Sequence, residues 1–221
     1  MCVVGAWGGL VVVLGFEPGP LVSAVASCAA EGFCRGARIV VFTAGFSDER
    51  ADRAWREFQN IVGMMGLVKS FGVSIERYCI GLDDFVGAVR EIKGILEGLR
   101  DVKVKISITG GMRALDLAVF LAYMLVDWKF EPCVEVYLEG RGMALRVPEV
   151  RRFVKYRITS ERLELIRAME PGRVYKPSDL SGILGKDRST VYRQLQALVE
   201  EGFVERVDGG YRLSRLGVLL V

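Results

Sequence analysis

Five consecutive apolar residues, Leu10-Val-Val-Val-Leu14, constrain this chain more than any other feature. The run does not alternate, so both its faces must be covered, and its β-branched centre favours extended backbone. That pattern describes a central strand of a mainly parallel sheet. The stretch from Cys2 to Phe16 is too short to cross a bilayer, which takes about 20 residues. It contains four glycines up to Gly15 and lacks a basic leader region. No membrane association is therefore expected, and a cytoplasmic location is. Residues 1–9 read as an extra strand or a tail.

The rest of the first 150 residues repeats the strand–helix theme. Gly15-Phe-Glu-Pro-Gly-Pro20 turns the chain into a helix over Leu21–Ala30. Arg38–Phe42 is a second strand, followed by the loop Thr43-Ala-Gly-Phe-Ser47. A helix then starts at Ser47 or Asp48 with acidic residues in its first turn, as the helix dipole favours. Its core face is Trp55, Phe58, Ile61, Val62 and Met65. Val73–Ile80 alternates as a strand, and Asp83 or Asp84 caps a helix reaching about Leu99. Val102–Thr109 is the next strand. Gly110-Gly-Met-Arg113 leads directly into Ala114–Val126, a helix apolar nearly all round and therefore expected to be central and buried. Val134–Leu138 and Met143–Val147 form a hairpin around Glu139–Gly142.

Alternating strands and helices give an α/β fold: a Rossmann-like, mainly parallel sheet flanked by helices over residues 1–150. Ligands of such sheets bind beyond the carboxyl ends of the strands. The loops after Leu14, Phe42 and Thr109 are thus the candidates. In Gly110-Gly-Met-Arg113 the glycines let a ligand approach the main chain, the helix N-terminus favours an anion, and Arg113 can pair with a phosphate. A plain tight turn is the alternative for the glycine pair. The first loop is not G-x-G-x-x-G, and its prolines stand where backbone donors would be wanted, so NAD is only a runner-up ligand.

The chain has no histidine among its 221 residues. This excludes a Ser-His-Asp triad, a His-ligated metal and a His acid/base catalyst. Cys2, Cys28, Cys34, Cys79 and Cys133 include no C-x-x-C pair, so no metal site is expected. Mostly buried free thiols are expected instead. No catalytic residue is assigned.

The charge is unevenly spread. Residues 151–221 hold 14 Lys+Arg against 9 Asp+Glu, a balance of +5, whereas the first 150 hold 16 against 18, a balance of −2. A basic C-terminal third suits a partner with phosphates. Arg151–Arg157 is a basic connector, read with residue 158 as a linker over 151–158; dimerisation or phosphate contact are its other roles. Thr159 or Ser160 caps a helix to about Met169. Pro177 opens a short second helix that Gly185 closes. Asp187 opens a third, with Val191, Leu195 and Leu198 as its buried stripe and Gly202 at its end. Phe203–Ser214 is a hairpin turning at Asp208-Gly209.

Three helices and a hairpin in this order, with Arg188-Ser-Thr-Val-Tyr-Arg-Gln-Leu-Gln-Ala-Leu-Val-Glu-Glu-Gly-Phe-Val-Glu-Arg206, resemble the winged helix-turn-helix of archaeal and bacterial regulators over residues 159–221. The resemblance implies that Arg188, Ser189, Thr190, Tyr192 and Arg193 meet bases or backbone of double-stranded DNA, and that Arg206 and Arg212 of the wing hold phosphates. A solvated charge is the alternative for each wing arginine.

Together with Thr109-Gly-Gly-Met-Arg-Ala-Leu-Asp-Leu-Ala118 and Leu14-Gly-Phe-Glu17, the winged unit makes most of the chain similar to the CRISPR-associated transcription regulators of archaea, which carry an N-terminal CRISPR-associated Rossmann-fold (CARF) domain. That resemblance implies a homodimer acting on a CRISPR-associated promoter or leader. Its regulatory ligand would be a cyclic oligoadenylate, expected as the tetra-adenylate, held between two CARF domains with no further cofactor. Gly15, Phe16 and Glu17 would line one wall. Thr43, Ala44, Gly45, Phe46 and Ser47 would lie beside them. Thr109, Gly110, Gly111, Met112 and Arg113 would hold phosphates and riboses. Helix capping or dipole compensation is the alternative for Glu17 and Asp116. Rival readings are a ring nuclease that cleaves its cyclic ligand, an NAD-linked redox sensor, and a DNA-binding protein whose α/β domain only dimerises.

Overall fold

The computed structural model describes residues 6–46, 48–138 and 143–221. Residues 1–5, Ser47 and the turn expected at Glu139–Gly142 lie outside them. The chain divides into two compact units, Met1–Val147 and Pro148–Val221.

In the first unit six strands form one sheet: β1 (Trp7–Val13), β2 (Phe33–Ala44), β3 (Ser74–Ile80), β4 (Val104–Ser107), β5 (Cys133–Leu138) and β6 (Met143–Arg146). Their order is β3-β2-β1-β4-β5-β6. All neighbours are parallel except β5 and β6, which form the expected antiparallel hairpin. Every residue of β1 is buried. Leu10, Val12 and Leu14 share a core with Ile39, Val41 and the helices α1 (Gly19–Glu31), α2 (Glu49–Met64) and α3 (Leu67–Phe71). Val11 and Val13 point to the opposite face, which the packed pair α4 (Phe85–Glu97) and α5 (Arg113–Leu125) covers.

Several elements differ from the sequence reading. β1 begins at Trp7, because Gly8 and Gly9 continue the strand: a Cβ at Gly8 would lie 2.6 Å from Val102 Cβ. β2 runs back to Phe33, and α3 adds a turn bracketed by Gly66 and Gly72 in left-handed conformation. α5 is not buried all round. Its inner face is Leu115, Ala118, Val119, Ala122 and Tyr123, while Leu117, Leu121 and Leu125 are 53%, 37% and 56% exposed. The sheet lies on one side of α5 and α4 beside it, which leaves an apolar stripe uncovered.

A charge cluster lies in the interior of this unit. Lys105 on β4 is 1% exposed; its Nζ lies 2.6 Å from Glu31 Oε1, 3.6 Å from Glu135 Oε2 and 3.3 Å from Ser27 Oγ. Trp7 Nε1 donates to Glu31 Oε2 at 2.8 Å. Burial is the largest single influence on Lys105 and lowers its pKa, but the bond to Glu31 and the negative charges of Glu135 and Glu31 together outweigh it, and the ammonium is held charged.

The second unit contains α6 (Arg152–Lys155), α7 (Ser160–Arg167), α8 (Pro177–Leu184), α9 (Arg188–Glu200), the hairpin β7 (Val204–Val207) and β8 (Gly210–Leu213), and a closing 3-10 turn, Gly217–Leu220. The expected caps are present. Thr159 accepts from Arg162 N–H, Gly185 adopts φ +62°, and Asp187 accepts from Ser189 and Thr190 N–H at 3.0 and 3.3 Å. Leu165, Leu180, Val191, Leu195, Leu198 and Phe203 form its core. The basic segment read as a linker packs within this unit: Phe153 lies 5.5 Å from Phe203, and Tyr156 and Ile158 join the same core. Its apolar residues at this spacing make it part of the fold.

The cysteines depart from the expectation of buried free thiols. Cys34 is disulfide-bonded and Cys79 is exposed, while Cys28 and Cys133 are buried and free. Burial pushes the Cys28 thiol up to about 12 and the Cys133 thiol up to about 11, so neither forms a thiolate near neutrality. Iodoacetamide treatment of the folded protein, read by peptide mapping, is therefore expected to label Cys79 and to spare Cys28 and Cys133. Labelling of either buried thiol under native conditions would contradict this packing.

Candidate functional site

β1 has β2 on one side and β4 on the other, so the strand order reverses beside it and a crevice opens beyond the carboxyl ends. Three loops meet there. The contact between the first and the third is backbone to backbone: a Cβ at Gly15 would lie 1.7 Å from the carbonyl oxygen of Gly110. Gly110 has φ +86°, in the left-handed region that favours glycine. A Cβ at Gly111 would lie 2.1 Å from Val13 Cγ1 and 2.9 Å from Asp116 Oδ1. The glycine pair is thus required by the packing of the turn onto β1 and by its conformation together.

Between the loops lies a cavity of about 130 Å³, lined by Leu14, Gly15, Phe16, Ala44, Phe46, Ala51, Gly110, Gly111 and Met112. Phe16 and Phe46 are 48% and 47% exposed, and Met112 is also exposed. Two half-exposed rings and a thioether beside a glycine turn suit a flat base in contact with a phosphate-bearing backbone. Arg113 opens α5 exposed to solvent, and no side chain caps that helix, which leaves its first N–H groups facing outward.

Seven expected residues, Gly15, Phe16, Ala44, Phe46, Gly110, Gly111 and Met112, line this cavity. Thr43 and Thr109 do not. Thr43 is fully buried and donates to Tyr78 O at 3.4 Å; Thr109 is buried and accepts from Tyr137 N–H at 2.7 Å. Both hydroxyls tie loop bases to neighbouring strands. Gly45 is held by its N–H to Ile80 O at 2.7 Å, and Glu17 is exposed outside the cavity lining. Ser47 lies outside the described residues.

Sequence reading missed Ala51, Arg50 and the state of Asp116. The Arg50 guanidinium stacks over Phe16 at 4.1 Å, and the Asp48 carboxylate holds it at 2.9 Å. The only sequence clue is that Arg50 falls in the first turn of a helix leaving the second loop. Asp116 Oδ1 is buried without a hydrogen-bond partner among the described residues, and burial pushes its carboxyl up to about 6. It sits directly behind Gly111.

On the second unit, Arg188, Ser189, Tyr192 and Arg193 are exposed on α9, opposite the buried stripe Val191, Leu195 and Leu198. Thr190 is half-buried. Arg206 projects from the hairpin into solvent. Arg212 is instead half-buried and paired across the hairpin, its Nε 2.8 Å from Glu205 Oε1. Its charge is already compensated where a phosphate contact was expected.

A family model described as the Csa3 CRISPR-associated Rossmann-like domain matches residues 9–148. A second, described as the HVO_A0261 N-terminal domain, matches residues 154–221. No curated protein matches the sequence. Among solved structures the chain is similar to Can2 from Sulfobacillus thermosulfidooxidans in complex with cyclic tetra-adenylate. The identity is 13% and the TM-score 0.41, over 96% of this chain and 63% of that one. It is also similar to Enterococcus italicus Csm6 bound to cyclic hexa-2′-fluoro-hexa-dAMP, at 11% identity and a TM-score of 0.49, over 89% of this chain and 55% of that one. The chain thus spans less than two thirds of either protein's length.

Asp116 gives the site a testable signature. It titrates near 3.8 unfolded and near 6 folded, so its ionisation opposes folding increasingly as pH rises through that window, and fully above it. Asp116→Asn removes the opposition. The variant is expected to be more stable than the parent at pH 7.5, by about 1–2 kcal/mol once partial solvent screening is allowed for. The gain should vanish near pH 3.5. Thermal unfolding across this range checks it; a gain that does not change with pH would contradict it.

Proposed function

The chain belongs to the Csa3 family of CRISPR-associated Rossmann-like proteins, and from that membership we propose a dimeric DNA-binding regulator controlled by a cyclic oligoadenylate. One observation carries the reading. The glycine turn that suits a phosphate and the uncovered apolar stripe lie on the same helix: Gly110–Arg113 opens α5, and Leu117 follows one turn later. Exposed apolar stripes of this kind mark association surfaces. A second copy docked along the first half of α5 would set two turns about one two-fold axis. A ring of repeated nucleotides suits such a site, because each half makes the same contacts.

In this reading the ligand's phosphates lie on the N–H groups of Gly111–Ala114 and on Arg113. Its bases enter the cavities between Phe16, Phe46 and Met112, and a tetra-adenylate is the expected ring. The C-terminal unit acts as a winged helix. α9 enters the major groove with Arg188, Ser189, Tyr192 and Arg193 toward the DNA, and Arg206 holds a phosphate. Ring binding changes the spacing of two such helices. That changes affinity only if the ring prefers one of the two arrangements.

Ring cleavage is a second reading, favoured by Asp116, whose carboxyl titrates near the pH at which a general base works. Its carboxyl lies behind Gly111 and off the cavity wall, which favours the regulator. Conversion of the ring to linear products by the parent but not by Asp116→Asn would reverse that order.

Calorimetry with cyclic tetra-adenylate is expected to show one ring per two chains. Gly111→Ala should weaken binding at least tenfold by displacing the turn, and Arg113→Ala should do so by removing a charge-assisted bond, each worth about 1.5–3 kcal/mol. No heat at millimolar ring would sink the sensor. On the DNA side, Arg188→Ala or Arg193→Ala is expected to cost about 1–3 kcal/mol, and affinity should fall steeply between 50 and 200 mM salt. Binding indifferent to salt would contradict phosphate contact.

A further inference from the structure

A second, polar cleft shares no lining residue with the cavity at the glycine turn. α1 packs on β1 and β4, and the cleft lies beside it over β5 and β6. It holds about 240 Å³ and is lined by Ser23, Ser27, Ser107, Glu135, Tyr137 and two alanines. This is below the about 300–1,000 Å³ of drug-sized sites and suits a fragment such as one sugar ring. Strand register builds its floor: Ser107 stands opposite Glu135, and Tyr137 opposite Ala144.

The cleft presents hydroxyls that are free for a ligand. Ser107 is 5% exposed as a residue, and its hydroxyl opens to the cleft with no hydrogen-bond partner among the described residues. The hydroxyls of Ser23 and Tyr137 likewise have none. A hydroxyl that opens to a cleft without a protein partner keeps its donor and its acceptor lone pairs for water or a ligand. Glu135 faces the same space. Lys105 is 3.6 Å from its Oε2, and the Cys133 thiol is 3.5 Å from its Oε1, which leaves lone pairs spare on both oxygens. Lys105 itself is engaged by Glu31 at 2.6 Å and does not line the cleft.

We infer that this cleft binds a small neutral polyol, the ring of a sugar, through Glu135, Ser107, Ser23 and Tyr137. A carboxylate on the wall repels phosphate, so the site differs in kind from the glycine turn. Vicinal hydroxyls donate to a carboxylate with spare lone pairs, and the three unpaired protein hydroxyls can each donate or accept in return. The ring can come as a free pentose or as the ribose of a nucleoside. The inference does not depend on the ligand proposed for the turn.

Saturation-transfer NMR of the full chain with D-ribose and with adenosine tests it. Transfer to the ribose-ring protons is expected from one or both, and which probe responds identifies the source. Ser107→Ala and Glu135→Gln should each cut the D-ribose transfer at least fivefold while Phe16→Ala leaves it in place, and should cut the adenosine transfer at least fivefold when added to Phe16→Ala, which removes base binding in the other cavity. Ser107→Ala removes a hydroxyl that holds nothing in the fold, so its melting temperature should equal or exceed the parent's. No transfer from either probe would overturn the inference. So would transfer that Phe16→Ala abolishes and Ser107→Ala leaves unchanged, because that binding belongs to the glycine turn.

Discussion

The close approach of Gly15 to the Gly110 carbonyl, and of Gly111 to Val13, is the constraint on which the rest of the first unit depends. A methyl at position 15 would sit 1.7 Å from the Gly110 oxygen, and one at 111 would sit 2.1 Å from Val13. These contacts bring loops from β1 and β4 together at the place where the strand order reverses. They follow from β1 being buried on both faces, because a strand so clamped fixes where its loop leaves the sheet. The cavity between Phe16, Phe46 and Met112 is a consequence of that clamp.

Two polar groups in this unit are handled in opposite ways. Lys105 is buried with carboxylates and a hydroxyl around it, and its charge is retained. Asp116 is buried with an oxygen that no described residue satisfies, and its charge is disfavoured. The first is a structural solution to burial. The second lies directly behind the turn proposed to receive an anion, where an ionised carboxylate would oppose ligand binding as well as folding.

Much of this arrangement was legible in the sequence. The unalternated run at Leu10–Leu14 located the central strand, and the Gly-Gly pair before an apolar segment located the turn. Asp84, Thr159, Asp187 and Gly185 signalled helix ends through their capping chemistry, which is local. What was not legible depends on pairs distant in the chain. The family resemblance assigns Thr43 and Thr109 to the ligand by position, but their hydroxyls are taken by Tyr78 and Tyr137 on neighbouring strands. Arg212 carries the charge of a phosphate contact, and only the hairpin register shows that Glu205 neutralises it. α5 reads as buried because it is apolar all round; that the sheet covers one side of it is a property of the fold. That same exposed face is the strongest structural argument for a second copy of the chain.

The central claim is that a ring at the paired turns alters how the C-terminal units hold DNA. Such coupling requires a difference in DNA affinity between the ring-bound and ring-free protein, ordinarily 5- to 150-fold or about 1–3 kcal/mol. Fluorescence anisotropy of a labelled CRISPR-associated promoter duplex, titrated with the protein at fixed salt with and without saturating cyclic tetra-adenylate, measures it directly. The account predicts two binding curves separated by at least fivefold, with the separation lost in Gly111→Ala. Superimposable curves from protein shown by calorimetry to carry the ring would contradict it.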